Sequence, residues 1–193
     1  MFKCKVFFFI FSCLLLFSFK NDDNYVLVLR IPSIDLYTKV YQYTDNKYYL
    51  EHDENGDYNK YGSIFMDYRN SINDKKILIF GHNSKSHKTK FSKLEMFLSL
   101  EFFNETNNRY IYLESGKSEY KYLVKSILIV DDSSQHMYLN YSKKGWISHI
   151  NWINNNSIYK SDIKKDSNIL ILQTCLFDNP KGKYLLVVGE KIT

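Results

Sequence analysis

Proline and glycine are scarce. Two prolines and seven glycines in 193 residues exclude a collagen-like chain and argue against a disordered, linker-rich one. Cysteine is scarcer still: Cys4 and Cys13 lie in the first twenty residues, and Cys175 is the only one beyond them. A disulfide framework within residues 21–193 is therefore excluded, although exported chains normally pair their cysteines or lose them. Basic clusters interleaved with aromatics are absent, so nucleic acid is not an expected partner. His52, Asp53, Glu54 and Asp57 crowd together, but in a turn and without a recognised ligand spacing. No metal and no cofactor is expected. There is no internal repeat, no low-complexity tract and no second domain.

What is present is strand-forming. Hydrophobic residues make up 45% of the chain and aromatics 17%, including 17 Tyr and 14 Phe. That composition can bury a core and favours β-structure. The net charge of +5 is mild and suits a chain near an anionic membrane or wall polymer.

The first twenty residues differ in kind. Lys3 and Lys5 precede an apolar run, Val6 to Phe19, the pattern of an export signal or membrane anchor. As a helix this run spans about 21 Å, short of a hydrocarbon core of about 30 Å. Met1 and Phe2 lengthen it if the lysines snorkel. Phe17-Ser18-Phe19-Lys20 is a poor cleavage site. Residues 1–20 are thus expected to be an uncleaved anchor with the N-terminus inside, and residues 21–193 an extracellular domain on the membrane. A cleaved signal is the alternative.

From Tyr25 onward, β-type runs alternate with turns. Strands are expected over 25–30, 36–41, 62–66, 76–80, 109–113, 119–130, 168–173 and 184–189. In 119–130, Tyr120, Tyr122 and Val124 share one face and Lys121 and Lys125 the other. Two helices are expected, over 91–103 on the stripe Phe91, Leu94, Phe97, Leu98, and over 143–153 on Trp146, Ile150, Ile153. Eight strands with two helical excursions predict a mostly β fold: a closed or nearly closed barrel with peripheral helices.

Two strand ends carry candidate chemistry. The run Ile169-Leu170-Ile171-Leu172-Gln173-Thr174 ends in Cys175, and Ile77-Leu78-Ile79-Phe80-Gly81 ends in His82. A lone cysteine with a histidine elsewhere is a candidate nucleophile with its acid/base partner. His52, His87, His136 and His149 sit in polar or helical contexts and read as surface residues. Gly81 is expected to permit an unusual backbone angle that aims the imidazole. Thiolate attack on a carbonyl builds charge on oxygen, which needs a donor or a cation. Between Leu176 and Gly189 the cations are Lys181 and Lys183, and no arginine occurs there.

Gly81-His82-Asn83, Leu172-Gln173-Thr174-Cys175 and a basic residue opening the next strand resemble the signature of sortases. Gly62-Ser63-Ile64-Phe65-Met66-Asp67-Tyr68-Arg69-Asn70 and Asn46-Lys47-Tyr48-Tyr49-Leu50 resemble blocks of the class B members, and the likeness spans roughly residues 25–190. The resemblance implies an eight-stranded barrel and a sortase B-type cysteine transpeptidase on the outer face of a Gram-positive membrane. Such an enzyme cleaves a sorting signal of the Asn-Pro-x-Thr-x type and joins the new carboxyl end to an amine of the wall peptidoglycan. It implies Cys175 as nucleophile and His82 as general acid/base. The family's third residue, an arginine, falls on Lys183 by distance from the cysteine and on Tyr184 by counting back from Val187-Val188-Gly189. Lysine keeps the charge but loses the two-pronged donor geometry, and Lys181 is a further possibility. Asn46, Leu50, Ser134, Tyr138, Leu139 and Thr174 are the implied contacts to the sorting peptide, with core packing the alternative for Leu50, Tyr138 and Leu139. A catalytically impaired peptide-binding barrel and a secreted cysteine hydrolase are the alternative functions.

Overall fold

The computed structural model describes residues 25–131, 135–176 and 182–193. The expected anchor, Ser134 and Lys181 lie outside the described residues. Eight strands form a closed barrel: β1 (Tyr25–Ile31), β2 (Leu36–Tyr41), β3 (Phe65–Met66), β4 (Lys76–Phe80), β5 (Tyr110–Ser115), β6 (Ser118–Asp131), β7 (Ile169–Cys175) and β8 (Lys183–Lys191). Their order around the barrel is β1-β2-β3-β4-β7-β8-β6-β5, and β5 pairs with β1 to close it. The mostly β barrel expected from the sequence is the fold observed.

Side-chain alternation divides each strand between two cores. Leu170 and Leu172 of β7, Leu185 and Val187 of β8, and Ile77 and Ile79 of β4 point into the barrel. Ile169, Ile171, Leu186, Val188, Leu78 and Phe80 point outward. There a helix, α2 (Lys143–Asn156), covers them with Trp146, Ile150 and Ile153. Burial on both faces explains why β4 and β7 read as continuous apolar runs, and these two strands pair in parallel. In β6 the register slips between Val124 and Ser126, so Lys125 occupies a bulge and Ile127 resumes the inward face.

The segment 91–103 departs from the expected single helix. A 3₁₀ helix runs from Lys90 to Leu98, and a separate short helix, α1 (Leu100–Asn104), follows. The reason is legible in the spacing. Phe91, Leu94 and Phe97, all fully buried, recur every third residue, which suits three residues per turn better than 3.6. Ser99 then caps the new helix by accepting from the Phe102 N–H.

Candidate active site

Cys175 ends β7, and its partner across the antiparallel ladder to β8 is Tyr184. Directly opposed residues in such a ladder share one face. On the other side β7 runs parallel to β4 with Phe80 beside Gln173. The pairing continues past the last strand residue: Gly81 N–H donates to Gln173 O (3.2 Å), and Thr174 Oγ1 donates to Gly81 O (2.7 Å). Two steps along that register from Phe80 and Gln173, His82 comes level with Cys175. The strand order β4-β7-β8 therefore sets His82, Cys175 and Tyr184 in one row on the outer face. All three line a cleft of about 240 Å³, with Asn46, Leu50, Phe65, Met137 and Gln173 among its other walls. Cys175 is exposed and His82 half-buried.

His82 is held from the far side. Its Nε2 lies 2.9 Å from the Leu50 carbonyl oxygen. A carbonyl only accepts, so Nε2 carries a hydrogen and Nδ1 is the nitrogen left to exchange a proton. The Leu50 carbonyl is itself fixed by the loop that ends in the Gly62–Asn70 block. Ser63 N–H donates to Tyr49 O. Asn46 Nδ2 donates to Asp67 Oδ2, and Asn46 Oδ1 accepts from Tyr68 N–H. Asp67 is fully buried and receives two bonds from the Arg69 guanidinium, at 2.8 and 2.7 Å. Burial opposes ionisation of Asp67, but the bonds from Arg69 and Asn46 outweigh it and hold the carboxyl below its usual range. Arg69 also donates to Met137 O, tying one cleft wall to this network.

The implied substrate contacts divide. Leu50 is 38% exposed and Tyr138 67% exposed, so core packing accounts for neither. Leu50 and Asn46 line the cleft, but the Asn46 side chain is engaged with Asp67 and Tyr68. Thr174 lines the cleft with its side chain turned inward, 2% exposed. Tyr138 and Leu139 line a neighbouring cavity of about 870 Å³ instead. Lys183 opens β8 opposite Asp131 and is not among the residues lining the cleft.

Three expectations are corrected. His136 and His149 are not surface residues; each is 1% exposed. His136 Nε2 pairs with Gln173 Oε1 at 2.8 Å. His149 stacks on Tyr141 and Trp152 and meets the buried Lys76 ammonium at 3.1 Å. Gly81 has no positive φ; glycine is needed because a Cβ there would lie 2.7 Å from the Phe91 ring. A further residue escaped the sequence reading. Asn83 Nδ2 donates to Cys175 O (2.9 Å) and to Glu95 Oε1 (2.7 Å). Its place directly after Gly81-His82 was the available signal.

Comparison with known proteins decides the family. A Sortase domain family model matches residues 29–192. The chain belongs to the sortase family. It is 27% identical over 180 residues to sortase B of Listeria monocytogenes serovar 1/2a, covering 90% of this chain and 71% of that one. It is similar to the solved Clostridium perfringens sortase B, with a TM-score of 0.81 and 25% identity over 90% of this chain and 97% of that one. The Staphylococcus aureus sortase B–substrate complex shares the fold, with a TM-score of 0.78 at 22% identity over 88% and 80%. These relatives are class B, and this sortase is a class B member of a family of cysteine transpeptidases that bind sorting-signal peptides.

Proposed function

We propose that the chain is a membrane-anchored transpeptidase that cuts an Asn-Pro-x-Thr-x sorting signal and joins the protein to a peptidoglycan amine. The observation that carries the reading is that Cys175 and His82, 93 residues apart in sequence, line one solvent-reachable cleft. The Cys175 thiolate attacks the Thr carbonyl, and the carbonyl electrons move to oxygen. The intermediate collapses, the C–N bond breaks, and the His82 imidazolium gives its proton to the departing amine. A thioester remains on Cys175. A wall amine then attacks it, His82 takes the amine proton, and the thiolate leaves as the new amide forms. Residues 1–20 hold the domain to the outer face of the membrane, with Lys3 and Lys5 inside.

The test is to incubate the full chain, in detergent, with an Asn-Pro-x-Thr-x peptide and an oligoglycine amine. An amide product that disappears in Cys175→Ala supports the proposal. Acid alone, with the amine ignored, means a hydrolase. Peptide binding without product means an impaired barrel. Product from Cys175→Ala sinks the assignment.

A further inference from the structure

The cavity of about 870 Å³ beside the cleft has the size of a ligand pocket, and the acyl-transfer chemistry does not use it. One backbone ridge separates the two: Met137 lines the cleft and Tyr138 the cavity. The ridge is fastened from the cavity side. Arg69 donates to Met137 O, and Lys76 Nζ donates to Tyr138 O. Strand β4 contributes to both sites. Side chains alternate, so Lys76, Leu78, Phe80 and His82 share its outer face. Phe80 and His82 line the cleft, and Lys76 lines the cavity. Six residues at about 3.3 Å each put Lys76 roughly 20 Å behind His82. The cavity lining is positive. Lys75, Lys143 and Lys165 are exposed there and stand in no ion pair among the described residues. Arg69 is offset by Asp67. The opposing carboxylates are Asp74 and Asp166, and Asp74 is already engaged by Ser71 N–H and Asn70 Nδ2. Tyr138, Tyr141 and Trp146 complete the wall. A segment that carries carboxylates complements this lining.

We propose that this cavity is an exosite for an acidic segment immediately preceding the sorting motif of the substrate protein. This rests on the transpeptidase reading above. With the motif Thr at Cys175 and the departing amine at His82, the residues before Thr occupy the rest of the cleft, by Phe80, Gln173 and Met137. The motif Asn is three residues upstream of Thr, about 10 Å in an extended chain. The three residues before that Asn cover a further ~10 Å and cross the Met137–Tyr138 ridge. Their carboxylates then meet Lys75, Lys143 and Lys165. No bond is made or broken at this site. Its contacts are the same in the ground state and the transition state, so they lower KM and leave kcat alone.

The experiment gives the full chain, in detergent, Asn-Pro-x-Thr-x peptides preceded by Glu-Glu-Glu or by Gln-Gln-Gln, with an oligoglycine amine. The expected KM for the Glu flank is about tenfold lower than for the Gln flank, the worth of two or three exposed ion pairs. The advantage shrinks as salt is raised. Lys143→Glu with Lys165→Glu is expected to erase it. Lys117→Glu with Lys160→Glu changes the net charge equally at exposed positions outside the cavity and is expected to retain it. Equal KM for the two flanks in the wild type overturns the proposal and leaves the transpeptidase intact. Equal loss in both lysine pairs also overturns it, because the net charge and not the cavity then sets the preference. A Lys143/Lys165 pair that alters only the KM of a soluble muropeptide amine assigns the cavity to the acceptor and overturns it as well. If the wild type turns over no peptide, the functional reading fails by itself. Fluorescence anisotropy of the two labelled peptides with Cys175→Ala then decides alone: no gain in affinity from the Glu flank overturns the exosite.

Discussion

Asn83 reaches across from the end of β4 and donates to the main-chain carbonyl of Cys175 at 2.9 Å. The same amide donates to Glu95, whose carboxylate is paired with Lys85 at 2.8 Å. The last residue of β7, the proposed nucleophile, is thus pinned at the point where it leaves the sheet. Asn83→Ala removes this clamp. A hydrogen bond of this kind contributes about 0.5–1.5 kcal/mol, so a roughly three- to tenfold fall in kcat is expected. Steady-state kinetics on the sorting peptide checks it: KM stays close to wild type, and a change confined to KM contradicts the positioning role.

The imidazole depends on a loop that glycine alone allows. Gly62 has φ +52°, and a Cβ on it would lie 2.1 Å from Tyr49 O and 2.6 Å from Leu50 O. Gly62→Ala must therefore shift the carbonyl that His82 Nε2 uses. The expected outcome is a loss of at least tenfold in kcat together with a lower Tm. Wild-type turnover from a folded Gly62→Ala chain would show that the Leu50 contact is dispensable.

Asp67 and Arg69 form a second point of dependence. Arg69→Ala leaves the buried Asp67 carboxylate without its guanidinium, a change that costs about 3–5 kcal/mol in comparable buried pairs. Arg69 is partly exposed, so the lower end is expected in urea unfolding. The pH behaviour follows from the lowered carboxyl of Asp67. Its unfolded value is the ordinary 3.8. Its contribution is fully present above that pH and fades as pH falls through the depressed folded value. Acid titration of Asp67→Asn should lack that component.

Lys76 behaves in the opposite sense. It is 2% exposed, and its Nζ contacts Tyr138 O at 2.6 Å and His149. Burial, and then the charge of Arg69, pull its pKa down to about 7, against an opposing pull from Asp67. Unfolded, the amine holds its proton up to about 10.5. Between those values the unfolded chain binds more protons, so stability rises with pH. The slope is at most about 1.4 kcal/mol per pH unit. Lys76→Met should abolish this component in urea midpoints measured from pH 6 to 10. An undiminished slope would contradict the assignment.

Much of this was legible in the chain. Alternation and turn residues gave the strands, because a pleated strand with one buried face must repeat every second residue. Cys175 and His82 stood out because each ends an apolar run, and a parallel pair buried on both faces reads as such. Other features were hidden because they depend on neighbours far away in sequence. His149 is polar by type, yet it is covered by Tyr141, Trp152 and Lys76. The clamp from Asn83 depends on a register set by β7. Counting along the chain could not say which of Lys183 and Tyr184 stands opposite Cys175, since that depends on the strand register.

The parallel pairing of β4 with β7 also bears on when the enzyme matures. Antiparallel neighbours can zip from a tight turn, whereas these two strands must close a loop that contains β5, β6 and α2. Non-local pairing of that sort forms slowly and late. Cys175 and His82 are therefore brought level only once β5, β6 and α2, which lie between them in the chain, have been made. A chain that stops short of β7 lacks the strand whose parallel pairing with β4 sets Cys175 beside His82.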